Sequence, residues 1–443
     1  MTTRRFLLSA LAAAALALGA SAPARAVTEI QFWHAMDGAL GAQLDRIVQR
    51  FNDVQKDYRV SAVYKGSYDE TLAAGLAARL AGKGPHILQV YDVGTANMAA
   101  SKGAIRPVYQ VMREAGEKFD SGAFVPAVAS FYSDSKGNLL ALPFNTSTPV
   151  LYVNRDAFGA AGVDARKPVK TWYELQEALL EVREKTPLAC GLTTTWPSWV
   201  MLENTLAWHN EEFATRNNGY DGLDAQLVFN TRLAMRHLSL MTAWTKAKIF
   251  TYSGRREEGE RRFARGECAA LTASSASYAN IEQGAKFHFA VLPLPYYDDV
   301  NNAPYNTLMG GAGLWVLNGR SAGDYKGVAK FFSFISQPEV QAQWHQATGY
   351  LPITRAAYEL TKASGFYQKH PGADVGIQQM TNGSGPPKAY SRGIRLGNQL
   401  LIRAVVDEEL EQTWSLQKPP KQALDDAVRR GNELLRRFER AHK

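Results

Sequence analysis

The alternation of strand and helix over residues 29–94 constrains the fold more than any other feature. EIQFWHAM (29–36) reads as a strand, after which Leu40, Leu44, Ile47, Val48 and Phe51 recur at helical spacing. RVSAVYKG (59–66) is a second strand. Ser67-Tyr68-Asp69-Glu70 has the form of a capping box, and the helix it opens runs to about Ala81. HILQVYDV (86–93) is a third strand, and Gly94 begins another helix. A βαβαβ run of this kind implies a parallel sheet with helices on both faces. Ligands of such sheets bind outside the carboxyl ends of the strands. Here those ends carry Trp33-His34, Lys65 to Tyr68, and Tyr91-Asp92.

The texture then changes. ALPFNTSTPVLYVNRDAF (141–158) is extended, polar in its middle and contains two prolines, as expected of a crossover between lobes. LMGGAGLWVLN (308–318) is a Gly-rich strand and a second candidate crossover. Two amphipathic helices follow, the second opening with Ser336-Gln337-Pro338-Glu339, read as a further capping box. That helix ends at Gly349, and Tyr350-Leu351-Pro352 leaves it. The remainder is mostly helical and closes on Ala423, Ala427, Leu434, Leu435 and Phe438. A chain of 443 residues is too long for one small core and suits two lobes.

The first 26 residues read as a cleavable secretory leader. Arg4 and Arg5 precede an apolar run from Phe6 to about Leu18, and Ala24-Arg25-Ala26 offers small residues at a cleavage site. No Cys follows that site, so a soluble periplasmic protein is expected rather than a lipoprotein. The whole chain carries a net charge of +8, too dilute for a nucleic-acid binder but compatible with an anionic small ligand. Cys190 and Cys268 lie in apolar, strand-like segments. In an oxidising compartment a disulfide and two buried thiols both fit.

Nothing in the sequence has the form of an active site. The eight histidines are scattered, with no pair at metal-ligand spacing, and HExxH, GxSxG and Walker patterns are absent. No enzyme, metal or cofactor is therefore expected. Binding chemistry is better represented. Trp196 and Trp199 flank Pro197-Ser198, which suits either stacking on a ligand or a packed corner. Ser274 and Ser275 precede a helix-like run, as an anion site or an ordinary cap would. Arg403 lies in the apolar stretch NQLLIRAVV, either snorkelling to the surface or buried as a cation for an anion.

These segments resemble a known family. FWHAMDGALG (32–41), YKGSYDETLAAGLAA (64–78), ILQVYDVGTANMAASKGAIRPVY (87–109), PFNTSTPVLYVNRDAFGAAGVD (143–164) and TASSASYANI (272–281) carry the likeness. So do GGAGLWV (310–316), WHQATGYLPIT (344–354), IRLGNQLLIRAVVDEELE (394–411) and RRGNELLRRFE (429–439). Together they are similar to the periplasmic sn-glycerol-3-phosphate-binding proteins of ABC importers, over essentially the whole chain after the leader.

The resemblance implies an α/β, two-lobed periplasmic binding protein of type II, each lobe a mixed sheet flanked by helices. Residues 27–145 and 312–352 would form the N-terminal lobe, and 146–311 and 353–443 the C-terminal lobe. It implies a monomer that binds sn-glycerol-3-phosphate, and glycerophosphodiesters such as glycerophosphocholine, for a membrane permease with a cytoplasmic ATPase. A sugar-binding protein of the same fold is the alternative. By position, Tyr68 and Asp92 would contact the ligand from the first lobe, Ser147 and Gly311 from the crossovers, and Tyr350 from the turn after a helix. Trp196, Trp199, Ser274 and Arg403 would come from the second lobe. Arg403 would hold two phosphate oxygens through its guanidinium fork, and Asp92 would accept from the glycerol hydroxyls. Better-known members carry Glu where this chain has Asp92. The shorter carboxylate leaves either a further-closed cleft or room for a bridging water.

Overall fold

The computed structural model describes residues 27–101, 103–164, 169–301, 303–382 and 389–443. The expected leader, residues 1–26, lies outside them, as do residues 383–388 of the loop TNGSGPPKAYSRG (381–393), which reads as low-complexity in the sequence.

The first sheet is built from β1 (Thr28–His34), β2 (Tyr58–Tyr64), β3 (Ile87–Tyr91), β4 (Leu142–Ser147) and β9 (Gly310–Val316), in the order β2-β1-β3-β9-β4. β1 pairs in parallel with β2 and β3, as the βαβαβ pattern requires. β9 runs antiparallel to both of its neighbours, so the sheet is mixed. β4 lies at the edge, where Pro143 is tolerated without a backbone N–H, and its register shifts between Pro143 and Asn145. Helix α1 (Gly38–Val54) buries Leu44, Ile47, Val48 and Phe51, four of the five residues of the apolar stripe, and leaves Leu40 half-buried. Helix α2 (Tyr68–Leu80) opens with the expected capping box. The Glu70 backbone N–H donates to Ser67 Oγ, and Glu70 Oε2 accepts from the Ser67 backbone N–H.

The second sheet has the order β6-β7-β5-β8, from β5 (Pro149–Asn154), β6 (Cys190–Thr194), β7 (Cys268–Ser274) and β8 (Phe289–Leu292). β6 and β7 are parallel, and Cys190 and Cys268 face each other in that register as a disulfide. Of the two states the sequence leaves open, the structure has the bonded one. Two helices, α3 (Trp172–Lys185) and α4 (Arg232–Lys246), meet in this lobe's core through Trp172 and Trp244, whose ring centroids lie 6.2 Å apart.

Thr148 separates β4 of the first sheet from β5 of the second. Its hydroxyl donates to the Leu308 carbonyl at 2.9 Å and lies in hydrogen-bond contact with the Thr307 hydroxyl at 2.7 Å, tying the two crossovers side by side. The boundaries expected at 145/146 and 311/312 fall inside β4 and β9. A third passage runs near Leu351, whose N–H donates to the Thr146 carbonyl.

Helices α5 (Ala322–Ile335) and α6 (Pro338–Thr348) cover the first sheet. The capping box expected at Ser336 does not form. Ser336 ends α5, and α6 starts with Pro338 at its first position and no side-chain cap. Proline needs no partner for a missing N–H and presets its own φ, so the start is stable without the box. The box forms instead at Ser321 and Asp324, at the head of α5. Gly349 closes α6 in the left-handed conformation, φ 77°. The C-terminal pair, α7 (Gln399–Trp414) and α8 (Pro420–His442), packs Ile402, Val406, Trp414, Leu424 and Leu435 into the second lobe's core.

Candidate functional site

The two sheets meet at a cleft of about 820 Å³. All nine residues named from the sequence line it: Tyr68, Asp92, Ser147, Trp196, Trp199, Ser274, Gly311, Tyr350 and Arg403.

The first lobe supplies its residues from strand ends. β3 stops at Tyr91, and Asp92 opens a tight turn to Gly94. Tyr68, the first residue of α2, lies flat against Tyr91, with ring centroids 5.0 Å apart. Asn145 Nδ2 donates to Tyr68 Oη at 2.7 Å, and Gln89 Nε2 donates to Asn145 Oδ1 at 2.8 Å. This chain fixes the aromatic wall, since each polar group is satisfied in one orientation. Tyr350 stacks on Trp344. Gly311, φ 98°, is obligatory, because a Cβ there would lie 1.8 Å from the Asn145 carbonyl oxygen.

The second lobe supplies its residues from the segment after β6 and from α7. Ser198–Glu203 forms a π-helical turn, a widened geometry that recurs at functional sites. The Ser198 N–H donates to Asp407 Oδ1 on α7 at 3.0 Å, pinning that turn. The Trp pair divides the two roles open to it. Trp199 is only 5% exposed, belongs to the second lobe's core and packs under Gly310. Trp196 is half-buried and carries the Arg256 guanidinium 4.3 Å over its ring. Ser274 acts as a cap: its Oγ accepts from the Ala276 N–H at 3.2 Å.

Arg403 is buried, and it is not a free cation. Its Nε donates to Glu203 Oε1 at 2.8 Å, and its Nη2 donates to Glu203 Oε2 at 2.7 Å and to Asp92 Oδ2 at 2.6 Å. Glu203 belongs to the same lobe and Asp92 to the other, so the guanidinium bridges the cleft. Burial pushes the carboxyls of Asp92 and Glu203 up, and Arg403 offsets part of that rise. Burial acts to lower the Arg403 pKa, but the two carboxylates more than reverse it, and the group stays charged. Among the described residues Nη1 has no hydrogen-bond partner, so this nitrogen is the part of the fork left for a ligand.

The model of the family described as bacterial extracellular solute-binding protein matches residues 46–374. This chain belongs to that family. The solute-binding protein is 53% identical over 430 residues to the sn-glycerol-3-phosphate-binding periplasmic protein UgpB of Yersinia pestis, covering 97% of each chain. It is 51% identical to the UgpB of Salmonella typhi over the same length. Among solved structures it is similar to UgpB from Mycobacterium tuberculosis in complex with glycerophosphocholine. There the TM-score is 0.78 at 22% identity, over 92% of this chain and 98% of that one. Maltose-bound MalE3 of T. maritima matches at a TM-score of 0.72 and 17% identity, over 91% and 99%. The α/β, two-lobed fold is thus shared with that maltose-bound protein.

Sequence reasoning passed over three charged groups of the solute-binding protein, Asp69 and Arg256 in the cleft and Glu203 behind it. Glu203 sits in the apolar run SWVMLENTLAW, the same signal that singled out Arg403. Asp69 was absorbed into the capping box. In the structure its Oδ2 accepts from Arg256 Nη2 at 2.5 Å, and its Oδ1 accepts from the Tyr91 hydroxyl, making a second ion pair across the lobes. Arg256 lies in GRREEGERR, where a charged run gives no sign of which member turns inward.

Proposed function

We propose that this chain is the periplasmic solute-binding component of an ABC importer, capturing sn-glycerol-3-phosphate and glycerophosphodiesters such as glycerophosphocholine. The observation that carries the reading is the Arg403 guanidinium at the meeting of the lobes, its Nη1 unclaimed among the described residues, in a cleft that Ser147, Ser274 and Tyr350 also line. A charged donor in a cleft favours an anionic ligand. Nη1, rather than the whole fork, holds the phosphate, and the Gly311 backbone lies alongside. Asp92 engages Arg403 through Oδ2, so the glycerol hydroxyls share its remaining lone pairs. Tyr68 and Trp196 cover the carbon chain, and Trp199 backs that wall from the core.

No bond is broken in this role. Ligand contacts made by both lobes at once favour the closed form, and closure is the signal that the permease and its ATPase read. The protein works as a monomer. The near-identical length and 53% identity of the Yersinia pestis relative support the reading.

The Trp pair and the carboxylates also suit a sugar, and the maltose-bound neighbour has the same fold. Calorimetric titration with glycerol-3-phosphate, glycerophosphocholine and maltose separates the two. Binding of the phosphate compounds and not of maltose is expected. Binding of maltose alone would overturn the proposal.

A further inference from the structure

Glu203 has no direct part in the capture described above. It is 2% exposed, does not line the cleft, and holds Arg403 from behind through two hydrogen bonds. With Asp92 it sets two carboxylates against one guanidinium in the same buried cluster. The cluster is therefore overcompensated: when both carboxylates are ionised it carries a net negative charge at the point where the ligand's anion must dock. A phosphomonoester is close to dianionic at neutral pH, since its second proton leaves near pH 6, whereas a phosphodiester carries a single charge.

Resting on the proposed function, we infer that Glu203 is a positioning and charge-setting residue. It turns the Nη1 edge of Arg403 toward the ligand and limits the docked phosphate to one negative charge. A diester enters as it is. A monoester enters with the uptake of a proton, either on its own phosphate or on the cluster.

The groups that face this cluster agree with that reading. Arg403 and Gln399 face Glu203 from α7, and Asp92 faces it from the turn after β3. Tyr91 and Tyr132 face Asp92, and burial holds both phenols above their ordinary range and therefore neutral. Asp407 on α7, within electrostatic reach of Arg403 and Arg255, is pushed up by burial to about 6. Arg403 is thus the one cation in contact with the two carboxylates among the described residues.

Titration calorimetry tests this with glycerol-3-phosphate as the monoester and glycerophosphocholine as the diester, run at pH 7.5 in buffers of different ionisation enthalpy. The parent protein should take up about one proton more with the monoester than with the diester. Glu203→Gln keeps the shape and one acceptor but removes a charge. It should shift the affinity ratio toward the monoester by about tenfold, the scale of one unit charge several ångströms away in a half-screened cleft. Equal proton counts for the two ligands overturn the inference. So does a Gln variant that loses both ligands alike, which is what a purely structural residue would produce. If the variant does not fold, the proton counts of the parent decide alone. Failure of the parent to bind either ligand is a different result and refutes the proposed function instead.

Discussion

Replacing Arg403 with Ala tests the buried cluster as a physical object, apart from any ligand. Asp92 Oδ2 and Glu203 Oε2 both lie within 2.7 Å of Nη2, so the two oxygens are no more than roughly 5 Å apart. Two unit charges at that separation repel by about 3 kcal/mol at an effective dielectric of about 20. Opening of the lobes relieves this, because Asp92 departs with the first lobe. It does not help Glu203, which shares a lobe with Arg403 and stays buried without its cation. Removing one partner of a buried pair costs about 3–5 kcal/mol. The loss depends on pH in a definite direction. Burial already holds the Glu203 carboxyl up, and without the cation it rises further. An acid raised above its unfolded value has its stability intact at low pH and loses it as pH rises. The Ala variant should therefore melt well below the parent at pH 8 and approach it toward pH 5. Adding Glu203→Gln to the Ala variant should recover most of the deficit at pH 8. Scanning calorimetry of the three proteins at both pH values reads this directly. An Ala variant that melts with the parent at pH 8 would refute a buried charge cluster.

Three further outcomes follow from the geometry. Trp199→Ala should cost about 3–5 kcal/mol of stability as a core truncation, whereas Trp196→Ala should leave melting almost unchanged and weaken glycerol-3-phosphate binding by about 1–3 kcal/mol. Melting curves and titrations of the two variants check the division, and the reverse pattern would sink it. The Cys190–Cys268 bond spans 78 residues of sequence, so the Cys190→Ser, Cys268→Ser double variant should lose up to about 4–5 kcal/mol by the chain-entropy argument; unchanged urea unfolding would contradict that. Burial pushes Asp407 to about 6, so its contribution to stability falls as pH rises from its unfolded range through that value. Asp407→Asn, which keeps an acceptor for Ser198, should gain up to about 3 kcal/mol over the parent at pH 8 and nothing at pH 4, and a gain that is the same at both would show the carboxyl to be ionised throughout.

Much of the first lobe was legible because its signals are local. The apolar stripe of α1 and the Ser67–Glu70 box each depend on residues within one or two turns, and they form as read. Ser336 was misread for the same reason in reverse. Its four-residue pattern matches a box, but the proline one step later already starts the helix and leaves Ser336 to end the preceding one. The Trp pair was half legible. The resemblance placed both residues at the cleft, but whether an indole faces the core or the ligand depends on the π-helical turn and on Gly310 opposite, neither of which has a local signature.

By itself, the sequence determined the strand–helix alternation and the two crossovers, because period, turn chemistry and strand ends are properties of neighbouring residues; the nine cleft residues came from the resemblance to a known family. Only the tertiary structure decided what Arg403 is. Its partners lie 200 and 311 positions away in the chain, one in its own lobe and one across the cleft. The charge of a buried group is set by what stands within a few ångströms of it in space. An arginine in an apolar run reads equally as a snorkelling surface group or as a cation awaiting an anion until the fold brings Glu203 and Asp92 against it.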